Sequence, residues 1–132
     1  MSYLDDLALF PLLRDQGQAS WSRYVEHDFV ARLADGSLPE AAFRHYLGQD
    51  YLFLIHFSRA YALAASKADT LSEIRVAAAG MSAIVDTEMA LHADYCAGWG
   101  LDEAAMEALP EASATLAYTR YVLAQGGQGD LL

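Results

Sequence analysis

The stretch from Phe43 to Ala65, FRHYLGQDYLFLIHFSRAYALAA, limits what this chain can become more than any other. At helical spacing Phe43, Tyr46, Leu47, Asp50, Phe53, Leu54, Phe57 and Tyr61 share one face, in the i, i+3, i+4, i+7 rhythm of a helix packed against a core. Asp50 lies in the middle of that stripe. A carboxylate is costly to bury alone, so this aspartate is either paired structurally or placed to meet a ligand. The nearest basic residues on its own helix, Arg44 and Arg59, are six and nine positions away and turned well off its face. A ligand amine is then a sensible partner, because a charge-assisted hydrogen bond would offset the desolvation of the carboxylate.

A chain of 132 residues fits one helical domain, 1–132, but 55% hydrophobic residues leave few polar side chains to cover so small a body. The surplus apolar surface needs a second subunit or further chain against it. A formal charge of −10 argues against nucleic acid, which is held by clustered Lys and Arg. Cys96 is the single cysteine, which excludes an intrachain disulfide and points to a reducing compartment; its ordinary reading is a small buried thiol. The start, MSYLDDLALFPLL, carries two aspartates where a secretory signal would be basic, and no run approaches the roughly 20 apolar residues of a membrane span. A cytoplasmic protein with no membrane partner is expected.

Helix signals recur along the chain and strand signals do not. Pro11 suits the first turn of a helix reaching about Glu26, and Asp35-Gly36 closes the shorter HDFVARLADG. Ser37-Leu38-Pro39-Glu40 has the capping-box form, with Pro39 in the first turn of the long helix that carries Asp50 to about Lys67. Asp69-Thr70-Leu71-Ser72-Glu73 gives a second box, and the alanine-rich run after it can stay helical to Ala97, ahead of Gly98 and Gly100. Two long helices joined by a short turn must pair antiparallel. Asp102 to Leu109 reads as a short helix, and EASATLAYTRYVLAQ as another that ends at Gly126-Gly127. The predicted fold is all-α, a bundle of long antiparallel helices.

Glu88 and His92, four apart in TEMALHADY, share a helix face on which a carboxylate can orient an imidazole. They could line a pocket, stabilise their helix, or be half of a metal site. Carboxylate-bridged di-metal bundles use a duplicated Glu-x-x-His at three apart, and no second copy occurs here, so no metal is expected. His45 and His56 read as surface and packing residues, and His27 next to Asp28 has no spacing that argues for a role. Tyr118 and Tyr121 in AYTRYVL read first as core aromatics. A pocket lined by Phe53, Phe57 and Tyr118 around Asp50 would suit a flat, nitrogen-rich ring, with aromatics on its faces and the carboxylate accepting from an exocyclic amine or a protonated ring nitrogen.

The ordered succession Trp21, His27-Asp28-Phe29-Val30, Asp35-Gly36-Ser37-Leu38-Pro39, Phe43, Tyr46-Leu47, Gln49-Asp50-Tyr51, Glu88-Met89-Ala90-Leu91-His92 and Ala117-Tyr118-Thr119 resembles the TenA/THI-4 family, the thiaminase II group. The resemblance runs from about Trp21 to the last residue. It implies a haem-oxygenase-like helical bundle, assembled as a homotetramer, that hydrolyses an aminopyrimidine or thiamin in thiamin salvage without a cofactor. By that resemblance Asp50 holds the aminopyrimidine, Tyr118 is a pocket tyrosine, and Glu88 and His92 occupy a pocket-side helix. Phe53 stands where the family commonly has a tyrosine, so stacking would survive there while a hydroxyl bond would not. The resemblance also places the nucleophilic cysteine, and the glutamate and tyrosine that assist it, beyond Leu132. Cys96 is not at that position. The chain is therefore expected to be the N-terminal, substrate-recognition part of a longer hydrolase, in which a thiolate attacks the pyrimidine ring, the amine or thiazole leaves, and water releases the product. The alternatives are a haem-oxygenase-like di-iron oxidase using Glu88, His92 and Asp50, and a non-catalytic binding or scaffold protein.

Overall fold

The computed structural model describes residues 3–130, with side chains from residue 9 onward. Met1, Ser2, Leu131 and Leu132, on which the readings of the two chain ends partly rest, lie outside the described residues. Among the described residues every regular element is helical, the class that the periodicity predicts. They fall into two compact units, Met1–Glu40 and Ala41–Leu132.

The first unit holds α1 (Tyr3–Gln16), α2 (Gln18–Val25) and α3 (Asp28–Asp35). Pro11 was expected in a first turn but lies inside α1, and the break falls at Gly17. The helix continues through Pro11 despite the loss of one main-chain donor, and gives way at Gly17, a residue of weak helix preference. Phe10 meets Trp21 edge-on at 5.6 Å, which joins α1 to α2. His27 has a local role that its spacing did not reveal: its Nδ1 accepts from the Phe29 N–H at 3.1 Å and caps α3. Gly36 closes α3 at φ 78°, a conformation that glycine takes without a steric penalty.

The second unit is built on α4 (Glu40–Lys67), α5 (Leu71–Ser82), α6 (Met89–Ala97), α7 (Glu103–Glu107) and α8 (Ser113–Gln128). Pro39 precedes the first residue of α4 rather than standing in its first turn; the Ser37 amide is already held by Asp35 Oδ1 at 2.8 Å. The second capping box forms as expected. Thr70 Oγ1 accepts from the Glu73 N–H at 3.2 Å, while the Glu73 carboxylate accepts from the Thr70 N–H at 2.9 Å. The helix expected to run unbroken to Ala97 does stay helical, but Ala83–Glu88 is wound as a π-helix, with the Met89 N–H reaching back to the Ile84 carbonyl. Such widened turns are uncommon and gather at functional sites.

Tyr61 packs on Gly80 near one end of the α4 pair and Asp50 meets His92 further along, so α4 and the α5–α6 arm run antiparallel. A Cβ on Gly80 would run into the Tyr61 ring, so glycine is what lets the two helices approach this closely. The segment around α7 then carries the chain back. As a result α8 lies along α4 in the same direction, with Tyr118 on Phe53, Arg120 at His56, and Lys67 donating to the Gly129 carbonyl. Gln49 fixes this return by donating to the Pro110 carbonyl at 3.0 Å and accepting from the Ala112 N–H at 2.9 Å. One side-chain amide thus satisfies main-chain groups at the entrance to a helix that has no cap of its own.

The core gathers Leu47 and Tyr51 of α4, Cys96 of α6 and Met106 of α7, with Phe43, Tyr46, Ile55, Met89, Trp99 and Leu101 packed around them. Tyr51 and Leu52 are off the predicted stripe and yet buried, whereas Phe53, Phe57 and Tyr61 on the stripe are only half-buried. The long helix is covered on more than one side. Burial, followed by the charges of Glu103 and Glu107, pushes the Tyr51 phenol above its ordinary range.

Candidate functional site

Asp50 has a protein partner. Its Oδ2 lies 2.7 Å from His92 Nε2, and the two side chains keep 24% and 16% of their exposure. On its own helix Arg44 lies over the Trp99 ring and Arg59 meets His56, so the partner of Asp50 comes from elsewhere: it stands 42 positions away on α6 and is brought over by the antiparallel pairing. His92 is oriented through Glu88, though not by the carboxylate that the four-residue spacing offered. Its Nδ1 lies 2.8 Å from the Glu88 main-chain oxygen, while the Glu88 side chain is exposed. The carboxylate that meets the ring is that of Asp50.

One turn along α4 from Asp50 begins a row of rings. Phe53 stacks on Tyr118 at 5.4 Å with 13° between planes, and on Phe57 at 5.2 Å with 25°; Phe57 then meets Tyr61 edge-on at 5.2 Å. Tyr118 is 58% exposed and so is not the core aromatic that its helix spacing first indicated. Asp50, His92, Phe53, Phe57 and Tyr118 are therefore neighbours along one side of α4, a carboxylate beside a surface on which a flat ring can stack. Among the described residues no three His, Cys, Asp or Glu side chains come together as a metal site.

A cleft of about 490 Å³ lies elsewhere on α4, lined by Leu52, Ile55, His56, Arg59, Leu109 and Glu111 among others, and it includes none of the expected site residues. His56, read as a packing residue, is the hub of its polar wall. The ring lies 2.7 Å from Glu111 Oε1 through Nε2 and 2.9 Å from Arg59 through Nδ1, while Arg120 meets Glu111 at 2.8 Å. An arginine can only donate, so Nδ1 of His56 accepts from Arg59, while Nε2 faces both the Arg120 guanidinium at 2.9 Å and, in its hydrogen bond at 2.7 Å, Glu111 Oε1. That bond holds the Glu111 carboxyl below its usual range against the opposing effect of burial, and Arg120 adds to the lowering. Glu111 and His56 are 55 positions apart, and no local pattern announces the pair.

Cys96 is enclosed in the core at 1% exposure, and burial pushes its thiol upward. A thiol that rarely ionises and cannot be reached is a packing residue.

The profile of the TENA/THI-4/PQQC family matches residues 14–132. A Haemophilus influenzae protein whose name assigns no function is 44% identical over 119 residues, 90% of this chain and 55% of that protein. An aminopyrimidine aminohydrolase of Halalkalibacterium halodurans is 35% identical over 120 residues, 91% of this chain and 54% of that enzyme. Among solved structures, a TenA family transcription regulator from Silicibacter sp. TM1040 superposes with a TM-score of 0.88 at 48% identity, covering 92% of this chain and 54% of that one. The chain spans about half the length of the curated relatives it matches.

Proposed function

The chain belongs to the TENA/THI-4/PQQC family, an all-α haem-oxygenase-like fold, and we propose that it serves the hydrolysis of an aminopyrimidine, or of thiamin, in thiamin salvage. The observation that supports this reading is Asp50, held by His92 next to the exposed face of the Phe53–Tyr118 stack. Asp50 would accept from the exocyclic amine while the ring lies along the aromatic row, with Phe53, Tyr118, Glu88 and His92 completing the recognition side. The nucleophile would come from outside these residues, because Cys96 is closed in the core. Full-length protein supplied with an aminomethyl-substituted aminopyrimidine is expected to release ammonia in equal amounts with the hydroxymethyl product. No turnover of this compound or of thiamin would overturn the reading.

The solved relative is named a transcription regulator, but a formal charge of −10 gives the phosphate backbone little to hold, and the enzyme reading is favoured. Homo-oligomeric assembly, as a tetramer in the cytoplasm, belongs to the same proposal. It is supported by apolar side chains left at the surface, among them Val76 at 70% and Leu91 at 64% exposure. Light scattering is expected to give a particle larger than the monomer, and a stable, monodisperse monomer would rule out this part of the reading.

A further inference from the structure

We propose that Asp50 and His92 form a neutral unit, an imidazolium closed on a carboxylate, and that this unit selects a ligand whose amino-bearing ring is uncharged over one whose amino-bearing ring is cationic. The proposal deepens the aminopyrimidine reading and rests on it for the class of ligand. It starts from the two contacts of a single ring. His92 Nδ1 lies 2.8 Å from the Glu88 main-chain oxygen, and a carbonyl oxygen can only accept. His92 Nε2 lies 2.7 Å from Asp50 Oδ2, where a bare nitrogen would set its lone pair against that of the carboxylate. Both contacts are attractive together when both nitrogens carry hydrogen. His56 in the same unit is the opposite case, a ring whose Nδ1 faces a donor and is therefore bare.

The π-helical stretch bears on this directly. It ends at Glu88, so the carbonyl that fixes the ring is the last one of the widened turn, and the position of that turn sets where His92 meets α4. With the cation of the pair already supplied by the protein, Asp50 has one oxygen left to offer. Oδ1 has no hydrogen-bond partner among the described residues, and the side chain keeps enough exposure for a ligand N–H to reach it. A neutral amine brings a hydrogen-bond dipole to that oxygen. A ring bearing a fixed positive charge is attracted by the carboxylate but repelled by the imidazolium on its far side, so much of the charge attraction is cancelled while the cost of desolvating the cation is not. His92 is thus a positioning residue: it sets the charge that Asp50 presents and need not touch the ligand.

The test measures calorimetric binding of 4-aminopyrimidine and of its N-methylated, permanently cationic form to the full-length protein. The unsubstituted protein is expected to bind the neutral compound at least about 10-fold more tightly. In His92→Gln the side-chain amide can still donate to Asp50 but brings no charge, and the preference is expected to move at least about 10-fold toward the cation. An unchanged ratio in a folded His92→Gln variant would overturn the proposal, since a merely structural histidine has no means of sensing ligand charge. Nitrogen-15 NMR of the His92 ring in the unliganded protein at pH 7 tests the pair apart from any ligand. Hydrogen on both nitrogens supports it and a bare nitrogen sinks it. If both nitrogens carry hydrogen and neither compound binds, the aminopyrimidine reading is what has failed, and the selection goes with it.

Discussion

The Asp50→Asn variant of the full-length protein is expected to lose about 100-fold in kcat/KM toward an aminopyrimidine, equivalent to roughly 2.7 kcal/mol. Asparagine keeps the shape and can still accept from His92 Nε2, but it then turns its NH2 group toward the ligand, where Asp50 offers Oδ1. A donor facing a donor replaces the recognition bond. Because the His92 contact is retained in weakened form, the loss of folding stability is expected to be near 1 kcal/mol. Kinetics and denaturant unfolding measured on one preparation separate the two effects. Near-normal turnover would remove Asp50 from substrate recognition, and a variant that fails to fold would make the aspartate a structural partner of His92 first.

Met106→Ala carries the largest expected effect on stability, a loss of about 3 kcal/mol in urea unfolding. Met106 has no exposure, and it is the side chain by which the five-residue α7 enters the core beside Leu47, Tyr51 and Cys96. So short a helix contributes little through its own hydrogen bonds, and its position depends on that anchor. Truncation leaves a cavity on the inner side of the segment that returns the chain to α8. Met106→Leu, which keeps most of the volume, is expected to cost less than about 1.5 kcal/mol. Equal losses in the two variants would mean that thioether contacts rather than volume hold α7.

The contrast between what was legible and what was not follows sequence separation. The Thr70–Glu73 capping box and the close of α3 at Gly36 were readable because their partners lie within one turn. The all-α class followed from the same local periodicity. The Asp50 stripe was readable as a helix face, but its partner was not, since the bond to His92 spans 42 positions. His56 looked inert for the same reason: Glu111 and Arg120 reach it from 55 and 64 positions away. The π-helical stretch left no sign at all. Three of the six residues of Ala83–Glu88 are β-branched, which weakens a helix without saying how it is wound, and a one-residue shift in hydrogen-bond register is decided by packing against the rest of the unit rather than by propensity.

The Gln49 amide bears on the order in which this unit is assembled. Tyr61 and Gly80 are 19 positions apart, whereas Gln49 must wait for Pro110, 61 positions on, and closing the longer loop costs about 1 kcal/mol more in chain entropy. The α4 to α6 hairpin can therefore form before α8 is seated, and on the reverse path α8 is the arm that leaves first. Tyr118 departs with α8, while Asp50 and His92 both remain in the hairpin. The carboxylate–imidazole contact should thus outlive the aromatic stack, because it is built into a more durable part of the chain.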